Sequence, residues 1–120
     1  MKQQCIIARG DTAESAGLMA SVKRPHLIVT DLPYGVQHRG DLMQLLTVAL
    51  PVWVSMLLPG GTLAMAWEST RFSREDMLAT IAAGGLSALN TPPYDQLSHR
   101  VDRVIKQRDV VILHKPLRDA

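Results

Sequence analysis

The segment at residues 26–30, which contains the apolar run Leu27-Ile28-Val29 and is bounded by Pro25 and Asp31, constrains the fold of this chain more than any other feature. A run of this kind is typical of a strand that is buried on both faces, as in a parallel sheet. The strand leads directly into Asp31-Leu32-Pro33-Tyr34-Gly35. An acid, a rigid proline and an aromatic ring at the end of a buried strand form a preorganised pocket. Such a pocket suits a planar molecule that carries an amine.

The first part of the chain is predicted to alternate strands and helices. Residues 5–8 form a short strand, and Asp11 and Glu14 have the spacing of a capping box that begins a helix to about residue 22. Asp41 begins a long helix that extends to about residue 57 and is expected to kink at Pro51 or to split near Thr47. The predicted apolar face of this helix consists of Leu42, Leu45, Leu46, Ala49, Trp53 and Met56.

The second part of the chain ends in strands with no helix after them. Residues 62–67 form a strand, and Ser73 with Asp76 begins a helix that ends at Gly84-Gly85. Three further strands are predicted at residues 86–89, 98–105 and 110–114, and the last two form a hairpin that turns at residues 106–108. This order predicts one α/β domain over residues 1–120, with a mostly parallel sheet and an antiparallel terminal hairpin.

The composition of the 120 residues is that of an ordinary globular domain, with 47% apolar and 20% charged residues. The net charge of +2 is compatible with a polyanionic partner but is not by itself a nucleic-acid footprint. The first residues carry no apolar signal segment, which points to the cytoplasm. The longest apolar run, residues 42–58, is too short and too polar to span a membrane. One cysteine and four scattered histidines have no metal-ligand spacing.

Four segments together carry a resemblance to a known family. Gly10-Asp11 follows a predicted strand, Asp31-Leu32-Pro33-Tyr34 follows the buried strand, Leu58-Pro59-Gly60-Gly61-Thr62-Leu63 leads into the next strand, and a hairpin ends the chain. In this order they resemble the second half of the Rossmann-like methyltransferase fold, as found in enzymes that use S-adenosylmethionine to methylate exocyclic amino groups of nucleobases. The Pro-Tyr-Gly after the acid is most similar to the guanine-N2 methylases of tRNA and rRNA. The resemblance therefore implies an RNA partner and a role in RNA methylation.

The same resemblance implies a role for each residue of the motif. Asp31 supplies a carboxylate and Leu32 a backbone carbonyl, aimed by Pro33, as acceptors for the amine hydrogens. Tyr34 stacks on the face of the base. The residues implied for the cofactor are Asp11, Thr12 and Asp31, with Asp11 at the adenine. Because Asp, Pro and Gly are also turn residues, a simple tight turn is the alternative interpretation of the motif.

The sequence departs from the family pattern in two ways. Leu32 stands where the family usually has a first proline. No Gly-x-Gly loop follows any predicted strand, although in the family such a loop holds the methionine part of the cofactor. The methyltransferase fold is therefore expected to be incomplete, with residues 26–30 as a bare apolar edge. Either the missing strands come from self-association or from a second chain, or this chain is a truncated product.

Three functions remain open on these observations. The first is a fragment of a methyltransferase that acts on an exocyclic amine of a nucleobase, guanine in tRNA or rRNA. The second is a non-catalytic methyltransferase-like module that pairs with a partner through its bare edge. The third is a fragment of a DNA adenine-amino methyltransferase, which shares the motif. A second proline-rich segment, Thr91-Pro92-Pro93-Tyr94, has no acid before its prolines and is interpreted as a loop.

Overall fold

The computed structural model describes residues 17, 23–32, 39–70, 72–101 and 106–117 of the chain. The described residues form a four-stranded sheet of β1 (Leu27–Asp31), β2 (Thr62–Glu68), β3 (His99–Val101) and β4 (Lys106–His114). Two helices accompany it, α1 (Arg39–Met56) and α2 (Arg74–Ala83). The strand order is β1-β2-β4-β3, with β1 and β2 parallel and the other two pairs antiparallel. The predicted α/β architecture with an antiparallel end is confirmed, but the described sheet is mixed and not mostly parallel, since only one of its three strand pairs is parallel. The strand predicted at residues 5–8, and the helix predicted at 11–22 apart from Gly17, lie outside the described residues.

The hydrophobic core lies on one face of the sheet. Alternate residues of β2 (Leu63, Met65 and Trp67) are buried there, beside Val111 and Leu113 of β4. Both helices cover this face, because their buried side chains belong to the same cluster as those of the strands. The buried helical residues are Leu42, Leu46, Ala49, Leu50 and Trp53 of α1 and Met77 and Ile81 of α2. The predicted apolar face of the long helix is thus confirmed, with Leu45 and Met56 half-buried at its margin.

The opposite face of the sheet is open at β1. Leu27 is 55% exposed and Val29 is 71% exposed, whereas Ile28 between them is half-buried. The prediction that this strand is buried on both faces was therefore wrong for these residues. A continuous apolar run shows that a strand can be buried on both faces, but it does not show whether both covering layers are present. Strand β1 is the terminal strand of the described sheet, and the expected bare apolar edge stays a prediction because the strand predicted at residues 5–8 lies outside the described residues.

Helix α1 continues through Pro51, so the predicted split near Thr47 was wrong. Proline lacks an N–H, and the carbonyl of Thr47 therefore loses its usual helical donor. Pro51 lies on the exposed side of the helix, where water can satisfy that carbonyl. Buried residues on both sides of the proline, Leu46 and Trp53, belong to the same core cluster, which stabilises a helix that is continuous through Pro51.

The end of α1 is capped by two cations from other segments, since its own last turn has no basic residue. Arg24 Nη2 donates to the carbonyls of Leu57, at 2.6 Å, and Ser55, at 3.0 Å. Lys115 Nζ donates to the same Leu57 carbonyl at 2.8 Å. Positive charge at a helix C-terminus is favourable because the terminal carbonyls carry partial negative charge. The two cations tie the segments before β1 and after β4 to the helix.

We expect Arg24→Ala to lower the free energy of unfolding by about 1 kcal/mol, because it removes two hydrogen bonds from a charged donor at a partly solvated site. The double variant Arg24→Ala/Lys115→Ala should lose more than the sum of the single variants, since both cations serve the Leu57 carbonyl. Urea denaturation measures both effects. The exposed neighbour Lys23 supplies the control, and a Lys23→Ala change as large as that of Arg24→Ala would contradict the capping role.

Helix α2 begins and ends where the sequence predicted. Ser73 is its N-cap, and the Ser73 hydroxyl accepts a hydrogen bond of 3.1 Å from the backbone N–H of Asp76. Gly84 is the C-cap, and Gly85 after it has a φ of 78°. A positive φ is strained for residues with a Cβ, so glycine ends the helix without that cost. The predictions from Ser73 and from Gly84-Gly85 are both confirmed.

Two predictions for the C-terminal part were wrong. Residues 86–89 form no strand, and only an isolated bridge joins Ala88 to Leu113. Residues 106–108 belong to β4 and are not a turn. Because Val101 pairs with Lys106, the connection between β3 and β4 falls at residues 102–105, which lie outside the described residues. The polar triplet Lys-Gln-Arg resembles a turn in the sequence, but Arg108 finds a carboxylate partner inside the sheet.

Candidate nucleobase site

The carboxyl ends of the parallel strands define the edge of the sheet at which ligands bind in open α/β folds. Strands β1 and β2 end there with Asp31 and Glu68. Strand β4 is antiparallel to β2, so its first residues lie at the same edge, and Arg108 is paired with Glu68 across the ladder. The fold thus brings two acids and a buried arginine from three strands to one edge.

Asp31 is held at this edge by an ion pair with Arg108. Arg108 Nη2 donates a hydrogen bond to Asp31 Oδ1. The register explains the contact, since Asp31 is opposite Ala66 on β2 and Ala66 is opposite Val110 on β4. Directly opposed residues point to the same face, and Arg108 is two residues from Val110 on that face. The Asp31 side chain is 58% exposed and that of Arg108 only 8%, so the carboxylate is accessible and its partner is not.

Leu32 lies on the other face and continues the strand pairing. Its side chain is only 3% exposed and belongs to the hydrophobic core. Its backbone N–H donates to the Ala66 carbonyl at 2.8 Å. A proline could not make this bond, because it has no N–H. The departure from the family pattern at this position therefore extends the β1–β2 ladder by one hydrogen bond and anchors the chain directly after Asp31.

A second charged cluster, on the core-facing side of the same edge, is centred on Arg74 at the start of α2. Its guanidinium lies 3.3 Å from Asp109 Oδ1 and donates to the carbonyls of Val110, at 3.0 Å, and Tyr94, at 2.9 Å. Its Nε donates to Asn90 Oδ1 at 3.0 Å. Asp109 is 5% exposed, so its charge needs this partner. The cluster joins α2, β4 and the segment at residues 90–94.

The predicted site residues are only partly described. The structure places Asp31 and Leu32, whereas Asp11, Thr12, Pro33 and Tyr34 lie outside the described residues. Sequence reasoning missed Arg108 and Arg74. The adjacent Arg108-Asp109 before the apolar end of β4 was the available signal, because charged residues inside a strand require partners. Residues 91–95 form turns and no strand or helix, which confirms the interpretation of Thr91-Pro92-Pro93-Tyr94 as a loop.

An apolar groove of about 330 Å³ lies between α1 and α2. Leu46, Leu50 and Ala79 are among its lining residues, and neither Asp31 nor Arg108 is. Because both helices cover the core face, this groove is separated from the Asp31 carboxylate by the sheet. Within the described residues no group of three or more His, Cys, Asp or Glu side chains is placed to hold a metal ion. In that same part of the chain, neither helix has the length and hydropathy required to cross a membrane.

Comparison with known proteins relates the chain to methyltransferases through structure alone. No protein-family model matches the sequence, and no curated protein matches it significantly. Two of the solved structures that match are of a Thermus thermophilus protein whose assignment as a DNA modification methylase is provisional. The selenomethionine derivative has a TM-score of 0.59 at 21% identity, over 92% of this chain and 53% of that one. The complex with S-adenosyl-L-methionine has a TM-score of 0.56 at 21% identity, over 92% of this chain and 54% of that one.

The chain thus spans about half the length of these structures. Its mixed sheet, with a parallel β1–β2 pair and an antiparallel β3–β4 hairpin, accounts for one part of the larger fold. The prediction of an incomplete fold is confirmed. This chain has the α/β fold of a methyltransferase, in incomplete form.

Proposed function

We propose that this chain is part of an S-adenosylmethionine-dependent methyltransferase that acts on an exocyclic amino group of a nucleobase. The observation that carries the proposal is the position of Asp31. Its carboxylate is exposed at the carboxyl end of β1, in a methyltransferase fold, and is held there by a buried arginine. A tight turn without a function would not require a buried guanidinium next to an exposed carboxylate, so the ion pair favours the functional interpretation of the motif.

The chemistry needs an acceptor at this place. The lone pair of an exocyclic amine is delocalised into the ring, so the amine is a weak nucleophile and must be held in line with the methyl donor. A carboxylate that accepts one amine hydrogen orients the amine and stabilises the positive charge that develops on it. Orientation alone contributes up to about 7–11 kcal/mol in favourable cases. Asp31 is proposed in this role, with the Leu32 carbonyl as second acceptor and Tyr34 stacked on the base.

The described residues fit the amine side of this reaction better than they fit the cofactor. S-adenosylmethionine, when bound, supplies an electrophilic methyl group on its sulfonium. Of the residues predicted for it, Asp31 is described, and Asp11 and Thr12 lie outside the described residues. The sequence has no glycine-rich loop after a strand, so groups for the methionine part are proposed to come from a polypeptide segment beyond these 120 residues.

Two substrates are supported by different observations. The Pro-Tyr-Gly sequence after Asp31 favours guanine in tRNA or rRNA, and this is the first proposal. The provisional assignment of the two solved structures as a DNA modification methylase favours DNA, and an adenine amine in DNA is therefore the second proposal. Both substrates present a planar base with one exocyclic amine to the same carboxylate.

Methyl transfer by the complete protein, meaning this chain with the segment that supplies the cofactor loop, tests the proposal. Unmodified tRNA transcripts, rRNA and unmethylated DNA are offered with labelled S-adenosylmethionine, and the products are digested to nucleosides for mass spectrometry. We expect N2-methylguanosine from RNA. N6-methyladenine from DNA would support the second substrate instead. Methyl groups found only on ring carbons or on the sugar would refute the role of Asp31.

A non-catalytic partner module is the second candidate function, favoured by the exposed apolar side chains of Leu27 and Val29 on β1. Calorimetric titration of this chain alone with S-adenosylhomocysteine separates the two candidates, with Asp11→Ala as the control. Binding at micromolar strength that is lost in the control would mean that self-association completes a cofactor site. No binding, together with capture of a methyltransferase-like partner, would support the module.

A further inference from the structure

We infer that Arg108 is a positioning residue for the amine-accepting carboxylate of Asp31, an inference that rests on the proposed function. The two residues are 77 positions apart in the chain and lie on strands that are not neighbours, since β2 stands between β1 and β4. Their contact therefore spans β2 on the face of the sheet opposite the hydrophobic core. Ala66 is the β2 residue in this row, and its small side chain leaves room for the guanidinium to reach Asp31.

The burial of the two side chains shows which one holds the other. Arg108 is 8% exposed and Asp31 is 58% exposed. A buried side chain is restricted in its rotamers by its neighbours, whereas an aspartate at an exposed strand end otherwise samples several. Arg108 is thus the fixed member of the pair, and it restricts the carboxylate to one orientation.

The contact leaves half of the carboxylate for a ligand. Arg108 donates to Oδ1, and an ionised carboxylate has a second oxygen with further acceptor capacity. An amine hydrogen can therefore bond to Oδ2 while Oδ1 stays anchored. Lysine at position 108 would keep the charge but lose the planar fork that fixes direction as well as distance.

If Arg108 positions the carboxylate, recognition of the amine depends on Arg108, whereas the general affinity for a nucleotide does not. Guanosine and inosine 5′-monophosphates differ only in the 2-amino group, and adenosine and purine riboside 5′-monophosphates differ only in the 6-amino group. In each pair the contribution of the amine appears as a ratio of dissociation constants. Substitution of Arg108 should lower that ratio without weakening the amine-free member of the pair.

The test is an NMR titration of the full chain with the four nucleotides, for the wild type, Arg108→Met, Arg108→Lys and Asp31→Ala, with folding checked by circular dichroism. We expect one amine-bearing nucleotide to bind the wild type about tenfold more tightly than its amine-free counterpart, the value of one hydrogen bond to a charged acceptor. Arg108→Met and Asp31→Ala should both reduce the ratio to near one. Arg108→Lys should restore part of it.

Failure of this inference and failure of the proposed function give different results. If Asp31→Ala loses the ratio but Arg108→Met keeps it, Arg108 does not position the carboxylate and the proposed role of Asp31 stands. If the ratio of dissociation constants is near one in the wild type, or if Asp31→Ala has the same ratio as the wild type, the proposed function fails. The role of Arg108 then fails with it. Should Arg108→Met not fold, Arg108→Gln replaces it: a full ratio overturns the inference, and a lost ratio supports it.

Discussion

In the complete, active protein we expect Asp31→Ala to lower methyl transfer on the order of 10²–10³-fold, the usual cost of removing one preorganised polar group from a reacting centre. The affinity for S-adenosylhomocysteine should change much less than the transfer rate, because Asp31 is only one of the residues predicted for the cofactor and the variant leaves Asp11 and Thr12 in place. The Asp31 side chain is 58% exposed, so its loss opens no cavity in the core. Single-turnover methyl transfer, with calorimetry in parallel, measures the two quantities.

Asp31→Asn is the matched variant for this prediction. An asparagine keeps one oxygen acceptor, but its NH2 group replaces the second carboxylate oxygen and cannot accept a hydrogen bond. Because Arg108 and the amine would then have to share that one oxygen, we expect transfer by Asp31→Asn to lie between that of Asp31→Ala and that of the wild type. Asp95→Ala, at an exposed acid in the loop that follows Tyr94, serves as the control and should leave transfer unchanged. Unchanged transfer in Asp31→Ala would refute the assignment of the motif.

Local signals in the sequence predicted the elements on which the site is built. The apolar run at residues 26–30 became β1, and Ser73 with Gly84 and Gly85 correctly marked the two ends of α2. Each of these signals depends on residues within one turn or one strand, so a single sequence contains the necessary information. The position of Asp31 at the end of a strand was predictable for the same reason.

What the sequence did not predict depends on residues that are distant in the chain. Arg108 was assigned to a turn because its neighbours are polar, whereas in the structure it pairs with β2 and β3 and its side chain bonds to a carboxylate 77 residues away. The exposure of Leu27 and Val29 on β1 depends on which other segments cover that face of the sheet. The identity of these two residues does not show whether such a segment is present. Contacts between segments that are distant in the chain therefore account for these two errors, and the ion pair at the candidate site is one such contact.

We expect Arg74→Ala to lower the free energy of unfolding by about 3 kcal/mol, the low end of the range for removing one partner of a buried ion pair. The variant leaves the 5%-exposed Asp109 with only the backbone N–H of Val110 as a donor among its described partners. It also removes the hydrogen bonds from Arg74 to Asn90 and to the Tyr94 carbonyl. The segment at residues 90–94 should consequently exchange its amide hydrogens faster.

Urea denaturation followed by tryptophan fluorescence measures this loss, since Trp53 and Trp67 are both buried. Glu75→Ala is the control, because Glu75 is exposed in the same helical turn. The double variant Arg74→Leu/Asp109→Leu should recover part of the stability, because a buried ion pair replaced by apolar side chains leaves no unpaired charge. Two results would contradict the role of Arg74 as the partner that allows Asp109 to be buried. One is a loss of unfolding free energy below about 1 kcal/mol in Arg74→Ala, and the other is a double variant that is less stable than Arg74→Ala.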